Sequence, residues 1–130
     1  MMQVMDASAL LALARGEPGS DVVLDLLGSQ ECVASSVNMA EVGSKLNVLG
    51  LPQAELERAL RQFDVDVIDF NHEQAALSAA LRQQTKPMGL SLGDRACLAL
   101  AKQLDAVAVT ADSAWLDVQQ AVGVRVLLIR

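Results

Sequence analysis

The alternation of apolar and polar positions along the chain predicts short strands separated by helices. Five brief apolar runs are typical of strands, at residues 3–5, 32–34, 65–70, 106–110 and 124–129. The segments between them have helical length and spacing, at residues 7–14, 18–27, 36–48, 52–63, 72–84, 91–104 and 114–122. Strands that alternate with helices indicate an α/β fold, with a parallel sheet covered on both faces.

Two features of this pattern identify residues of the expected core. The helix over 72–84 carries alanines and leucines at helical spacing, and these are expected to face inward: Ala76, Leu77, Ala79, Ala80 and Leu81. Trp115 is expected in the core as well.

The length and composition fit one globular unit. The chain has 130 residues, of which 52% are hydrophobic and 20% charged, and this length is typical of a single domain spanning residues 1–130. Aromatic residues make up only 2% of the chain, too few for the stacking platforms that bind single strands. The net charge of −6 disfavours a protein that coats nucleic acid, but it leaves open an enzyme that acts on nucleic acid within a local cleft.

The cysteines and the beginning of the chain indicate a cytoplasmic protein. Cys32 and Cys97 lie in apolar surroundings without the neighbouring ligands of a zinc site, so we expect reduced, buried thiols. The start lacks a basic segment, and Asp6 interrupts its apolar run well before the ~20 residues that a membrane span requires.

Four acidic residues occupy positions where ligands bind in α/β proteins. Asp6 follows the first strand, Asp112 follows the strand over 106–110, Asp94 lies in the first turn of a helix, and Glu41 lies within the apolar run VNMAEVGSKL. Because ligands bind beyond the carboxyl ends of parallel strands, these side chains are expected to converge on one crevice. Clustered carboxylates raise one another's pKa unless a cation neutralises them, and oxygen ligands alone favour Mg²⁺ or Mn²⁺.

Helix capping is an alternative explanation for three of these acids. Ser91 and Asp94 have the spacing of a capping box, while Asp6 and Asp112 stand at positions suited to an N-cap. Glu41 is harder to explain in this way, because an acid in an apolar stretch needs a partner. One shared site accounts for all four residues at once.

At these residues the sequence resembles the PIN-domain ribonucleases, in particular the VapC-type toxins of bacterial toxin–antitoxin pairs. The resemblance covers nearly the whole chain and is carried by four segments in order, VMDASALLALARGEPG, SSVNMAEVGSKL, GLSLGDRACLALA and AVTADSAWLDV. It assigns the four acidic positions of the family to Asp6, Glu41, Asp94 and Asp112. It implies a three-layer α/β/α fold around a short parallel sheet, Mg²⁺- or Mn²⁺-dependent RNA cleavage, a homodimer and a cognate antitoxin.

Other residues are weaker candidates for the same site. Thr110 matches the hydroxyl position before the last acid of the family, and Ser8 either contacts the site or caps the first helix. Lys45 and Arg95 follow two of the acids and are candidate contacts for RNA phosphates, with surface exposure as the alternative. His72 is the only histidine and begins a predicted surface helix, so general acid–base chemistry by histidine is not expected.

Two alternatives of other classes remain open at this point. A response-regulator receiver domain also places acids at strand ends and binds Mg²⁺, although the Lys that a receiver carries after a late strand is missing here. A non-catalytic binding module that retains the PIN fold is the second alternative.

Overall fold

Five short strands and seven helices form the computed structural model, which describes residues 1–130. The strands are β1 (Gln3–Met5), β2 (Cys32–Ser35), β3 (Asp66–Ile68), β4 (Val107–Thr110) and β5 (Arg125–Leu128). The helices are α1 (Ala7–Arg15), α2 (Ser20–Ser29), α3 (Ser36–Val48), α4 (Gln53–Arg61), α5 (His72–Thr85), α6 (Leu92–Leu104) and α7 (Gln119–Val122). Two 3₁₀ turns, Lys86–Met88 and Ser113–Asp117, precede α6 and α7.

All strands are parallel and are ordered β3-β2-β1-β4-β5 across the sheet. The chain builds outward from β1 through β2 to β3, and then returns to place β4 on the other side of β1. The strand order therefore reverses between β1 and β4, which is where an open α/β sheet leaves a crevice for ligands. A receiver domain has the order 2-1-3-4-5, so this topology excludes the receiver alternative.

Alternation along the strands separates two cores, one on each face of the sheet. In β1, Val4 belongs to a core that includes Leu98 and Trp115, whereas Met5 belongs to one that includes Leu10 and Val42. The first core packs against α5, α6 and α7, and the second packs against α1 to α4. The expected three-layer α/β/α fold is confirmed.

Polar side chains cap the helices that begin near the carboxyl ends of the strands. Asp6 caps α1, Ser35 caps α3 and Ser91 caps α6, and each accepts a hydrogen bond from a backbone N–H in the first turn. These caps place the first turns of three helices above the edge of the sheet that carries the switch point.

The predicted inward face of α5 is only partly correct. Leu81 is buried, but Ala76, Ala79 and Ala80 are exposed. The other buried residues of α5 are polar: Gln74, Ser78 and Thr85. The hydroxyl of Thr85 donates to the carbonyl of Leu81 at 2.9 Å, so it enters the interior already hydrogen-bonded. Alanine is small enough for either environment, and its periodicity therefore misidentified the buried face.

Two other elements are shorter than predicted. The strand expected over 65–70 is confined to Asp66–Ile68, and the helix expected over 114–122 is a 3₁₀ turn followed by the single turn of α7. Gly123 ends α7 in the left-handed conformation.

Other expectations about the core are confirmed. Trp115 is fully buried, and Cys32 and Cys97 are buried free thiols. None of the helices combines the length and the apolar character that spanning a bilayer requires.

Candidate active site

Asp6 is almost completely buried at the end of β1, beside the switch point, with 3% of its surface exposed. Its Oδ1 accepts hydrogen bonds from the Ala9 amide at 2.8 Å and the Ser8 hydroxyl at 2.7 Å, and its Oδ2 accepts one from Thr110 at 2.6 Å. Burial raises the pKa of Asp6 from 3.8 to about 6; these hydrogen bonds oppose the rise, and the charge of Asp94 adds to it. Asp6 therefore caps a helix, and its carboxyl group also has a raised pKa.

Ser8 and Thr110 connect Asp6 to the end of β4. The hydroxyl of Ser8 accepts from the Ala111 amide at 2.9 Å, and that of Thr110 accepts from the Asp112 amide at 3.1 Å. Each hydroxyl thus donates to Asp6 and accepts from the chain beyond β4. This arrangement fixes both oxygens of the Asp6 carboxylate.

Glu41 lies near the start of α3, with its carboxyl end turned towards α6. The residue as a whole is exposed, but the carboxylate lies directly over the Cα of Gly93. Burial of the carboxyl group raises the pKa of Glu41, a hydrogen bond from Asn38 at 2.9 Å lowers it, and the charge of Asp94 raises it again.

Asp94 lies in the first turn of α6 and is half-buried. It forms a reciprocal capping box with Ser91, in which its Oδ2 accepts from the Ser91 amide at 2.9 Å and its own amide donates to the Ser91 hydroxyl at 3.2 Å. The capping prediction is confirmed for this residue. The charge of Asp94 also raises the pKa values of Asp6 and Glu41, so the three carboxylates lie within electrostatic reach of one another.

The pKa of the buried Cys97 thiol depends on the same three acids. Burial raises the pKa of its thiol well above the usual value, and the charges of Asp6, Asp94 and Glu41 raise it further. The three acids therefore share one local field.

Asp112 is linked to Asp6 through Thr110 and is itself a capping residue. It is exposed, and its Oδ1 accepts from the Ala114 amide at 3.0 Å, which caps the 3₁₀ turn after β4. Its connection to Asp6 runs through its own amide and the hydroxyl of Thr110. The structure thus brings Asp6, Glu41 and Asp94 within electrostatic reach of one another. Asp112 is exposed, caps the following turn and is joined to Asp6 through Thr110.

No positive side chain neutralises this cluster. The ion pairs of the structure all involve Glu17 or Glu57. Lys45 is exposed and forms no ion pair, while Nη1 of Arg95 donates to the carbonyl of Ser78 on α5 at 3.0 Å. The acidic side chains are therefore without a cationic partner from the chain.

The donor set fits a hard divalent cation. Carboxylate oxygens favour Mg²⁺ or Mn²⁺ over zinc, and the absent side chain of Gly93 leaves the space that the Glu41 carboxylate occupies. No three acidic, histidine or cysteine side chains are close enough to hold one ion between them. That spacing is compatible with Mg²⁺, which usually keeps several waters and takes only one or two carboxylates together with substrate phosphates.

Comparison of the sequence with models of known families identifies the family of this chain. The family model described as "PIN domain" matches residues 4–120. The chain belongs to the PIN domain family. The membership of the PIN domain family that the sequence suggested is thereby confirmed. Three of the four acids that the resemblance singled out, Asp6, Glu41 and Asp94, interact at the switch point of this PIN domain.

Solved structures of toxin–antitoxin complexes are similar to this PIN domain over almost its full length. A complex from Klebsiella pneumoniae has 20% identity and a TM-score of 0.75, with 98% of each chain covered. The VapBC-1 structure from nontypeable Haemophilus influenzae has 19% identity and a TM-score of 0.73, covering 99% of this chain and 98% of that one. A DNA-bound VapBC from Salmonella typhimurium has 15% identity and a TM-score of 0.75, covering 100% of this chain and 99% of that one. No curated protein sequence matches the chain at a significant level.

Sequence reasoning missed two residues of this PIN domain that contact the acids. Asn38 is buried and bonded to Glu41, and Gly93 lies under the same carboxylate. A signal for Asn38 was present, because it precedes Glu41 by one helical turn and lies on the same face of α3. Gly93 offered only the weaker signal of a glycine in the first turn of a helix, where it lowers helix stability.

Proposed function

We propose that this PIN domain is a Mg²⁺- or Mn²⁺-dependent endoribonuclease and acts as the VapC-type toxin of a toxin–antitoxin pair. The observation that carries the proposal is the group formed by Asp6, Glu41 and Asp94, three interacting carboxylates without a cationic partner at the switch point of the sheet. PIN domains are generally nucleases, and a group of carboxylates that can hold Mg²⁺ or Mn²⁺ suits cleavage of a phosphodiester bond.

The side chains available leave metal-assisted hydrolysis as the mechanism to be expected. His72 is the only histidine and is exposed at the start of α5, so no nucleophile here has a histidine base beside it. A bound Mg²⁺ or Mn²⁺ supplies a more acidic water and stabilises charge on the phosphate oxygens.

The residues at this site have two proposed roles, as metal ligands and as groups that orient a ligand. Asp6, Glu41 and Asp94 are the proposed ligands, directly or through bound water, and Asp112 is the proposed fourth acid. Ser8 and Thr110 hold the Asp6 carboxylate in one orientation.

Two basic residues are proposed contacts for RNA phosphates, and the structure supports them unequally. Lys45 is exposed and free of ion pairs one helical turn beyond Glu41, which suits a phosphate contact. Arg95 has one nitrogen engaged with the Ser78 carbonyl, and its buried Nε has no partner. Lys45 is therefore the better placed of the two.

An apolar groove on the α1–α4 side suits an antitoxin segment. It has a volume of about 520 Å³ and is lined mainly by hydrophobic side chains, among them Leu13, Leu24, Leu27, Leu46 and Phe63. An amphipathic helix or extended segment can bury its apolar residues in such a groove. The similar solved structures are toxin–antitoxin complexes, which favours an antitoxin as the occupant.

Assembly and location are further parts of the proposal. The exposed alanines of α5 add apolar surface to the molecule, and we expect a homodimer with twofold symmetry. A monomer in light scattering at micromolar concentration would contradict this. We expect the pair of toxin and antitoxin to act in the cytoplasm.

Cleavage of RNA by the purified protein tests the proposed function. Single-stranded RNA should be cut internally in the presence of Mn²⁺ or Mg²⁺, and EDTA should stop the reaction. Binding of Mn²⁺ without any cleavage would instead support a non-catalytic binding module with the PIN fold. Cleavage that is unaffected by EDTA would overturn the proposed mechanism.

A further inference from the structure

Gly93 is the one glycine whose missing side chain is replaced by a carboxylate. A Cβ built on Gly93 would overlap Oε1, Cδ and Oε2 of Glu41. The other two helical glycines differ, because a Cβ on Gly28 would meet nothing and one on Gly43 would touch Leu60 at 3.3 Å. The first turn of α6 is thus shaped to receive the end of the Glu41 side chain.

Asn38 on α3 is hydrogen-bonded both to Glu41 and to Gly93. Its Nδ2 donates to Oε1 of Glu41 at 2.9 Å and to the carbonyl of Gly93 at 3.0 Å. Only 1% of Asn38 is exposed, and its Oδ1 has no hydrogen-bond partner. Burying an amide oxygen without a hydrogen-bond donor destabilises the folded protein. The two hydrogen bonds that Asn38 donates therefore explain why an asparagine occupies this position.

We propose that Gly93 and Asn38 are positioning residues that together form a seat for the Glu41 carboxylate and hold it beside Asp94. This inference rests on the proposed function, because it assigns the seat to the metal ligands named there. The seat opposes the repulsion between Glu41 and Asp94, which carry like charges and have no cation of the chain between them. Without the seat, Glu41 would turn away into solvent, where its charge is better hydrated.

The substitution Gly93→Ala tests the seat with little risk to the fold. The added methyl group meets the flexible end of Glu41 rather than backbone, so the side chain moves and the helix does not. Alanine also has a higher helix propensity than glycine. We therefore expect the melting temperature without metal to stay at or above the wild-type value, while the dissociation constant for Mn²⁺ rises about 10- to 100-fold, the effect typical of residues that orient metal ligands.

Gly28→Ala is the matched control, because it makes the same substitution in a helix where the new methyl group has open space. It should leave Mn²⁺ affinity unchanged in isothermal titration calorimetry. Asn38→Ala should weaken Mn²⁺ binding in the same direction as Gly93→Ala, since Glu41 then loses its donor.

A double variant shows whether Gly93 acts through Glu41. Glu41→Ala should weaken Mn²⁺ binding, and adding Gly93→Ala to it should cause no further loss because the carboxylate is already gone. A full additional loss in the double variant would overturn the seat, as would wild-type Mn²⁺ affinity in Gly93→Ala. If Glu41→Ala weakens binding and Gly93→Ala does not, the proposed function stands and the seat alone fails. If the wild-type protein binds no Mn²⁺, the proposed metal site and the seat both fall.

Discussion

The hydroxyl of Thr110 donates a hydrogen bond of 2.6 Å to Oδ2 of Asp6, from the end of β4 to the end of the neighbouring β1. This bond stabilises the charged form of a carboxyl group that burial pushes towards the neutral form. Thr110 therefore lowers the pKa of Asp6 as well as fixing the orientation of its carboxylate.

Replacing Thr110 with valine should move the proposed RNA cleavage to higher pH. Loss of the hydroxyl removes an interaction that lowers the pKa of Asp6, so less of the carboxylate is ionised near neutrality. Cleavage at pH 7 should fall and should recover partly at higher pH, as measured by the pH dependence of kcat/KM. Thr85→Val is the control, because Thr85 is equally buried but bonds only within α5. Identical pH profiles for the two variants would contradict the role given to Thr110.

The metal-free protein should lose stability as the pH rises. The pKa of Asp6 is about 6 in the folded protein against 3.8 in the reference state, so the native state binds this proton more tightly than the unfolded chain does. The resulting stabilisation is fully present below about pH 4 and is lost as the pH rises through about 6. The difference between these two pKa values corresponds to about 3 kcal/mol, and the raised pKa of Glu41 acts in the same direction.

Urea denaturation in EDTA between pH 4 and 8 measures this effect. The variant Asp6→Asn lacks the titrating group, and its free energy of unfolding should decline less over this range than that of the wild type. Parallel curves for the two proteins would show that Asp6 does not titrate as described.

Mn²⁺ should stabilise the protein, and more strongly above pH 6 than below it. The cation binds ionised carboxylates, and a ligand that binds only the native state raises the melting temperature by mass action. Calorimetric melting with and without millimolar Mn²⁺ at pH 5.5 and 7.5 measures the shift. Asp6→Asn should reduce it, and an equal shift at both pH values would argue against Asp6 as a ligand.

Asparagine at Asp94 and Asp112 separates capping from metal binding. Asparagine keeps a side-chain oxygen that can accept the hydrogen bond made at each position, from the Ser91 amide to residue 94 and from the Ala114 amide to residue 112. Both variants should therefore be as soluble as the wild type. If the two residues also bind metal, their loss of charge should abolish toxicity in cells that express the protein without an antitoxin. RNA integrity and growth are the measurements, and full toxicity of Asp112→Asn would confine the site to the three interacting acids.

A charge in the apolar groove should separate antitoxin binding from catalysis. Leu24 lines the groove and is 62% exposed, so Leu24→Glu should fold normally and still cleave RNA. It should lose the proposed antitoxin in co-purification, because a charge would be buried at the contact. Val48→Glu is the control, since Val48 is 81% exposed and lies outside the groove. Equal recovery of the partner with both variants would place the antitoxin elsewhere.

Sequence position alone was enough to find the acids whose placement depends on the ends of strands and helices. Asp6 ends a strand and Asp94 begins a helix, so the topology of a parallel sheet brings them to the same edge. For Asp112 the same reasoning leaves two roles, because a residue beyond a strand end can enter the crevice or cap the next turn. It caps the next turn here, and its part in the metal site stays a prediction.

The contact between Asn38 and Gly93 depends on the packing of two helices, which the spacing of hydrophobic residues in the sequence does not predict. Asn38 and Gly93 are far apart in the sequence and meet only because α3 and α6 approach each other above the sheet. The buried face of α5 was misread for a related reason, since Gln74 and Ser78 enter the interior where another helix covers them. Hydrophobic spacing predicts which elements form, whereas the partner helix decides which polar residues become buried.

Glu41 and Asp94 come from helices that cover opposite faces of the sheet. The helix of Glu41 packs with the core beneath α1 to α4, and the helix of Asp94 packs with the core shared by α5 and α7. Their two charges are therefore separated by a distance that neither layer fixes alone. The hydrogen bond from Asn38 to the Gly93 carbonyl joins the two helices directly above the sheet edge, so the contact between the layers, and neither layer by itself, sets the spacing of these carboxylates.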